Sequence, residues 1–390
     1  MKTMQIIFAV NLCAALTATA SLWSGGTGNW NSDGDPGWNG TGVPNAVGAI
    51  ADFAGFQGTA TITAGDNFTI GQLLFYDMVT SQGNRTISGV LTFDNTPECA
   101  VISNGSTRAS MDFNSTTRTI NGDLLIIKTG TPTGRINLNN SSFTGTGKII
   151  TDSNSNSMIT TTDSIHLGNS AHVGSLLVRR GSASAVNNYG NAANLVTLGV
   201  ADGGSVTFTF TGSSILFPNK VIVTAGTGGE TLFGNTYVPT AGVNPTAVFG
   251  GEFELGQNLA LHSGLPDPYT ANYTGKIYGV GGIKKIGVGN LSLNAANEYE
   301  GGTLLADGTI IVGNANALGT GALNITDGAT LQLNTSATVD SLKYNGKLQL
   351  RGTYGATGSG AKHEDDARFS GTGILTALNG VEDTTVLIVK

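Results

Sequence analysis

The chain has 390 residues, of which 58 are glycine and 9 are proline, and 12% of the residues are charged. Soluble proteins average about 25% charged residues and about 7% glycine, so this composition requires tight turns at short intervals. Collagen would need glycine at every third position, and a disordered linker would lack the paired Leu, Ile, Val and Phe found here. An all-β protein with many short strands is the class that remains. Because the formal net charge is -7, we expect no nucleic acid partner.

Residues 1-20 have the composition of a secretory signal peptide. Lys2 precedes an apolar run from Ile6 to Leu16, and Ala18-Thr19-Ala20 is typical of a cleavage site. The run is too short to span a bilayer, and no other stretch reaches the roughly 18 apolar residues that a spanning helix needs. We therefore expect an exported protein, secreted or on the cell surface, with no membrane-spanning segment after signal removal. Cys99 is then the one cysteine left, so we expect no disulfide.

The segment 21-56 contains all three tryptophans, Trp23, Trp30 and Trp38, among Gly, Asn and Asp. We predict that these rings form an N-terminal cap. The alternative is a platform on which sugars stack, since aromatic faces suit that contact.

A calcium site is a further possibility in the same segment. Asn31, Asp33 and Asp35 alternate as the ligands of a calcium loop do. Pro36, however, stands where such a loop needs glycine, and no Glu closes it. A weak calcium site at these three residues stays open, and we expect no other metal and no cofactor.

A glycine followed two and four residues later by apolar side chains is the repeating unit of this chain. Residues two apart point to the same face of a strand, so each apolar pair is predicted to be buried. The unit is clearest between residues 271 and 378 and more degenerate, with insertions, between 57 and 270. Its copies begin at Gly89, Gly122, Gly204, Gly289, Gly308, Gly321, Gly346 and, more weakly, Gly373.

The irregular spacing of these copies argues against a propeller, whose blades need near-constant length. It suits a solenoid, in which each coil stacks on the last and extra residues loop outward. We predict a right-handed parallel β-helix (β-solenoid) with roughly 20 to 25 residues per turn. Residues 379-390 would form a last strand or a C-terminal tail.

From Gly281 the chain reads GGIKKIGVGNLSLNAANEYEGGTLLADGTI. This stretch resembles the autotransporter-associated β-strand repeat, also called the passenger-associated transport repeat. The motif falls on Gly281, Gly282, Ile283, Lys285, Gly287, Gly289, Leu291, Leu293, Asn297, Tyr299, Gly301, Gly302, Thr303, Gly308, Thr309 and Ile310. The resemblance implies a β-helical passenger on the surface, or in the medium, of a bacterium with two membranes.

Parallel β-helices also carry polysaccharide lyases and hydrolases, which need two carboxylates, or a carboxylate and a base, converging on one groove. The densest charge cluster here runs from Lys362 to Arg368 in a Gly-Ser-rich stretch, where a solvated loop is the simpler interpretation. Lys284 and Lys285 are neighbours on opposite strand faces, so at most one of them points inward. Lys285 belongs to the repeat motif, and we assign it a structural role.

Three functional hypotheses follow from the sequence. The first is a noncatalytic exported β-solenoid that acts as a surface stalk, an adhesin-like protein or an extracellular matrix protein, with glycans or other copies of itself as partners. The second is a polysaccharide lyase or hydrolase on the same scaffold. The third is a glycan-binding module that uses the tryptophan-rich segment.

Overall fold

The computed structural model describes most of the chain beyond its first 19 residues. The described residues are 20-23, 25-31, 37-39, 42-53, 59-75, 84-105, 110-114, 116-129, 135-138, 141-154, 165-167, 172-240 and 242-382. The predicted signal peptide before residue 20, and Asp33 and Asp35 of the calcium prediction, lie outside these ranges. So do residues 383-390.

The described part of the chain is all-β, with no helix and mainly parallel strands. It therefore offers no helix with the length and apolarity needed to cross a membrane. By its contacts the chain divides into two compact units, Met1–Thr197 and Leu198–Lys390.

The first unit contains strands that are rich in Ile, Val, Leu and Thr, the residues that favour a pleated, half-buried surface. Their bounds are β1 Ala20–Trp23, β2 Gly28–Asn29, β3 Trp38–Asn39, β4 Ile50–Asp52, β5 Ala60–Ile70, β6 Gln72–Phe75, β7 Arg85–Asp94, β8 Ala100–Asn104, β9 Met111–Asn114, β10 Thr116–Asn121, β11 Leu124–Lys128, β12 Ile136–Asn137, β13 Ser141–Gly145, β14 Ile149–Ser153, β15 Ile165–His166 and β16 Leu176–Ala185. One parallel ladder joins β1, β4, β6, β8, β11, β14 and β16.

The strands of the second unit are shorter and more regular. After β17 Val196–Leu198, which crosses the boundary, they are β18 Gly204–Phe210, β19 Ser214–Phe217, β20 Val221–Val223, β21 Gly228–Asn235, β22 Thr246–Phe249, β23 Phe253–Leu255, β24 Leu259–Ser263, β25 Thr270–Tyr273, β26 Ile277–Gly279, β27 Ile283–Ile286, β28 Asn290–Leu293, β29 Glu298–Tyr299, β30 Thr303–Leu305, β31 Thr309–Val312, β32 Leu323–Ile325, β33 Thr330–Leu333, β34 Ala337–Tyr344, β35 Lys347–Leu348, β36 Gly352–Gly355, β37 His363–Glu364, β38 Phe369–Gly371 and β39 Leu375–Asn379.

Three parallel ladders organise the second unit. The first joins β18, β21, β24, β27, β30, β32 and β34. The second joins β19, β22, β25, β28, β31, β33 and β38, and the third joins β20, β23, β26 and β29. Ile283 lies opposite Thr303, 20 positions later, so successive rungs in the repeat region are about 20 residues apart. This arrangement is compatible with the predicted parallel β-helix.

The apolar pairs of the repeat region form the core of the second unit. Their side chains have no solvent exposure: Leu291, Leu293, Ile310, Val312, Leu323 and Ile325. The pairs led by Gly89, Gly122 and Gly204 are buried in the same way, at Leu91, Phe93, Leu124, Ile126, Val206 and Phe208. In each pair, the two side chains point inward because they are two residues apart on a strand.

The copy that begins at Gly346 is an exception, and the prediction that its apolar pair is buried was wrong. Asn345 and Gly346 both have positive φ, 49° and 80°, which is the combination of a two-residue hairpin turn. Strand β35 therefore runs antiparallel to β34, with Lys347 opposite Tyr344, and Leu348 is 40% exposed.

The three tryptophans of the first unit pack on one another. Trp38 lies between the other two, with ring centroids 5.1 Å from Trp23 and 4.9 Å from Trp30, and Phe53 continues the cluster by stacking on Phe75 at 4.7 Å. The indole N–H groups donate to the backbone carbonyls of Gly26, Pro44 and Trp30. All three indoles are at most 1% exposed. Their faces are covered by protein and present no surface on which a sugar could stack.

The expectation about disulfides concerned the chain after signal removal, and the full chain does not test it. Within the residues that the structure describes, Cys99 is disulfide-bonded and no cysteine is free. The other cysteine of the chain, Cys13, lies outside those residues.

Candidate functional site

Asn297 of the repeat motif links three successive rungs of the second unit. Its Oδ1 accepts a hydrogen bond from the backbone N–H of Ile277 (2.8 Å), and its Nδ2 donates to the carbonyl of Ala317 (2.7 Å). Ile277 precedes it by 20 residues and Ala317 follows it by 20. The side chain is 3% exposed. Asn297 is therefore a bridge between neighbouring rungs, with both ends of its amide used.

Tyr299 and Thr303 form a second buried polar pair beside this bridge. The two hydroxyl oxygens are 2.6 Å apart, and the Thr303 hydroxyl donates to the carbonyl of Leu318 (3.2 Å). Tyr299 has no exposed surface, and this burial raises the pKa of its phenol well above the ordinary value. Gly319, at φ 67°, passes so close to the ring that a Cβ there would lie 2.7 Å from it. The pair therefore ties the motif to the segment that follows it.

Lys285 is a charged side chain in an apolar column. It faces Leu261 on one neighbouring strand and Leu305 on the other, and it has no exposed surface. Its ammonium donates to the carbonyls of Ile286 (3.1 Å), Gly287 (2.5 Å) and Asp307 (3.1 Å). Burial lowers the pKa of this ammonium to about 8, opposed in part by the Asp307 carboxylate. The ammonium thus holds two turns together and is not accessible to a substrate.

The motif glycines allow the backbones of adjacent rungs to approach closely. A Cβ at Gly282 would lie 2.5 Å from the carbonyl oxygen of Gly302, and one at Gly301 would lie 2.4 Å from the nitrogen of Gly282. Side chains do not fit at such distances. The remaining predicted glycines lie in bends that precede strands: Gly287, Gly289 and Gly308.

An open groove of about 610 Å³ lies on the outer side of the first ladder of the second unit. We call it the outer groove. It is lined by Gly229, Glu230, Gln257, Asn258, Ala260, Gly282, Ile283, Lys284, Gly301, Gly302, Thr303, Leu304, Ala322, Asn324, Lys343 and Gly346. Several repeat glycines form its floor, so the motif shapes this surface although its polar side chains point inward.

Charges in the outer groove come from two lysines and one glutamate. The Lys284 ammonium lies 2.7 Å from the Glu230 carboxylate, and both side chains are partly exposed, 40% and 33%. Lys343 lies on the same column as Lys284, which runs Ala260, Lys284, Leu304, Asn324 and Lys343. One carboxylate next to a lysine does not make the pair of carboxylates that glycoside hydrolysis uses.

The acidic cluster near the C-terminus is internally paired. Arg368 forms ion pairs with Asp365 and Asp327, and the Asp366 carboxylate accepts hydrogen bonds from the N–H and hydroxyl of Thr357. These hydrogen bonds from Thr357 lower the pKa of Asp366. Among the described residues, no group of three or more His, Cys, Asp or Glu could hold a metal ion. Asn31, the one described member of the calcium prediction, is exposed.

The structure thus brings Lys285, Asn297, Tyr299 and Thr303 into the packed interior. Sequence reasoning missed the outer groove, because its charged residues lie far apart in the chain: Lys284 and Glu230 are 54 residues apart. The spacing of residues in the sequence nevertheless indicated one column of the groove. Leu304, Asn324 and Lys343 follow Lys284 at intervals of 19 or 20 residues, the same interval that separates the rungs.

Comparison with known proteins gives one partial similarity. Over 115 residues the chain is 32% identical to the adhesin BmaC autotransporter of Brucella suis biovar 1 (strain 1330). The matched part is 29% of this chain and 3% of that protein, so the chain spans a small fraction of its relative. No family model and no solved structure matches the chain.

Proposed function

We propose that the protein is a noncatalytic exported β-solenoid, a right-handed parallel β-helix that acts as an adhesin-like surface stalk. The observation that carries this proposal is how the polar side chains of the repeat motif are used. Lys285, Asn297 and Thr303 are buried and donate hydrogen bonds to backbone carbonyls of nearby turns and rungs. The conspicuous polar groups of the motif therefore stabilise a stack and are not offered to a substrate.

The likeness to an autotransporter adhesin supports the surface role. The motif between Gly281 and Ile310 further supports assignment to the autotransporter-associated β-strand repeat, and residues 1-20 support export through a signal peptide. On this basis the segment 21-56 is the N-terminal cap, residues 57-270 and 271-378 are stacked coils, and 379-390 complete the last strand or a tail.

Surface location and adhesion can be tested in the producing bacterium. Antibodies against the mature protein are expected to label intact cells, and external protease is expected to remove that label. A deletion strain is expected to adhere less to host cells or to a biofilm, and the full-length gene should restore adhesion. Label that is reached only after the cells are opened, or adhesion unchanged by the deletion, would contradict the proposal.

A polysaccharide lyase or hydrolase is the competing function, and the outer groove is where its chemistry would be. Its lining holds one carboxylate, Glu230, which is ion-paired with Lys284. We expect no unsaturated products and no new reducing ends when the protein is incubated with pectate or alginate. Steady product formation that disappears in Lys284→Gln would favour the enzyme instead.

A further inference from the structure

We propose that the outer groove binds an acidic polysaccharide, with the uronate carboxylates received by Lys284 and Lys343. This inference deepens the proposed function by naming the chemistry of the partner. It rests on the proposed function only for the location, the cell surface, at which the protein would meet the glycan. The two lysines lie on one straight column, separated by Leu304 and Asn324. At about 4.8 Å per rung, their strands are about 14 Å apart.

The spacing of the rungs suits a sugar chain that runs along the column. A rung height of about 4.8 Å is close to the length of one pyranose ring, so successive rings would lie over successive rungs. A polyuronate has a carboxylate on every ring. The rings over Lys284 and Lys343 would therefore each bring one carboxylate to an ammonium group, and the ring over Leu304 would contact its partly exposed apolar side chain.

The polar groups of the groove are mainly donors. Asn258 and Asn324 use their Oδ1 atoms to accept hydrogen bonds from the backbone N–H groups of Gly282 (2.8 Å) and Gly346 (2.9 Å). Those bonds fix the orientation of each amide, because the oxygen must face the N–H. The Nδ2 donors are then left for a ligand, as neither makes a hydrogen bond within the described residues. The groove thus offers two ammonium groups and two amide donors but only one carboxylate. This balance favours the binding of an anion.

Lys343 is the strongest single indication of an anionic ligand. Its ammonium forms no ion pair within the part of the chain that the structure describes, in a protein whose formal net charge is -7. Lys284, by contrast, already has Glu230 as its partner at 2.7 Å. A bound carboxylate would be attracted by Lys343 without competition, whereas at Lys284 it would compete with Glu230.

The groove fits an acidic glycan better than the two obvious alternatives. None of its lining residues is aromatic, whereas neutral sugars are usually held by stacking on aromatic faces. An extended peptide that binds by strand addition needs an unpaired sheet edge. Here, the strands β24, β27, β30 and β32 each pair with a neighbour on both sides. Glycines Gly282, Gly301 and Gly302 leave the floor free of side chains that would obstruct a ring.

Binding to defined oligosaccharides tests this inference with the full mature chain. Octamers of galacturonate and of alginate are compared with a neutral maltooligosaccharide of the same length, by calorimetry at low and physiological salt. We expect at least one acidic octamer to bind, with affinity that falls as salt rises. Lys343→Gln should weaken that binding about 3- to 5-fold, as expected for the loss of one exposed ion pair.

Two further variants sharpen the result. Glu230→Gln frees Lys284 from its partner and should strengthen binding severalfold. Lys148→Gln removes an exposed lysine outside the groove and should change nothing. Thermal unfolding of each variant separates lost binding from lost folding. The inference is overturned if no acidic octamer binds, if the neutral octamer binds as well, or if Lys343→Gln binds like the unmodified protein. Antibodies could still label intact cells in that event, and the deletion strain could still adhere less. The proposed function is therefore tested independently of this inference.

Discussion

Replacement of Asn297 by alanine removes a side chain that connects three rungs at once. In the native protein the Ile277 N–H donates to Oδ1 at 2.8 Å, and Nδ2 donates to the Ala317 carbonyl at 2.7 Å. Alanine leaves that N–H without its partner and leaves the Ala317 carbonyl with only the longer hydrogen bond from the Tyr299 hydroxyl (3.5 Å). The site is 3% exposed, so water does not readily replace the lost amide.

The expected cost follows from the two groups that lose a short hydrogen bond, the Ile277 N–H and the Ala317 carbonyl. A buried polar group left unsatisfied costs about 1 to 3 kcal/mol. Two such groups give a loss of about 2 to 5 kcal/mol in the free energy of unfolding, after some relaxation of the neighbouring backbone. This is large against the roughly 5 to 15 kcal/mol by which single domains are stable.

Hydrogen exchange followed by mass spectrometry measures this loss where it occurs. Peptides that contain Ile277 and Ala317 should exchange far faster in Asn297→Ala, and urea should unfold the variant at lower concentration. Asn316→Ala is the matched control, because Asn316 is an exposed neighbour whose loss should change stability by less than about 0.5 kcal/mol. Equal exchange in Asn297→Ala and the control would refute the reasoning that Asn297 bridges rungs.

Three further predictions concern the core, the buried lysine and the tryptophan cluster. Leu291→Ala should lower the free energy of unfolding by about 2 to 5 kcal/mol. Val288→Ala, at a site 74% exposed, should have little effect. Equal melting temperatures for the two variants would contradict the burial of Leu291. Burial lowers the pKa of Lys285 from 10.5 to about 8 in the folded protein, so between these pH values the unfolded chain binds the proton more strongly and stability rises with pH. Lys285→Met should lack this rise, which amounts to at most about 1.4 kcal/mol per pH unit in the free energy of unfolding. If the free energy of unfolding depends on pH in the same way in both proteins, the ammonium is not buried. Trp38→Ala should cost about 3 to 5 kcal/mol with no direct effect on glycan binding measured below its melting temperature; selective loss of glycan binding would revive the sugar platform.

Much of the fold follows from local sequence rules. A glycine before two apolar residues at alternate positions predicts a turn and a strand with one buried face, and Leu291, Leu293, Ile310 and Val312 are fully buried. Such patterns succeed because the period of two is a property of the strand itself. At Gly346 the pattern failed, because Asn345 and Gly346 form a hairpin turn whose Asn-Gly signal was overlooked.

The outer groove could not be found from local rules. It depends on which residues of different rungs lie opposite one another, and that register is set by the packing of the whole ladder. The 19- and 20-residue intervals after Lys284 would have placed Leu304, Asn324 and Lys343 on one column. The partner of Lys284, however, is Glu230, which lies 54 residues earlier, beyond rungs with longer and variable loops.

Distances along the second ladder of the second unit test the stacked arrangement most directly. One column of this ladder, between the buried apolar pairs, runs Leu216, Val248, Asn272, Ser292, Ile311 and Gln332. Nitroxides introduced on an unnatural amino acid, which leaves Cys99 untouched, can be paired between position 216 and positions 292, 311 and 332 and measured by pulsed electron spin resonance. Stacked parallel rungs predict backbone separations of about 14, 19 and 24 Å, because each rung adds about 4.8 Å. Distances that fail to lengthen from one rung to the next would contradict the account.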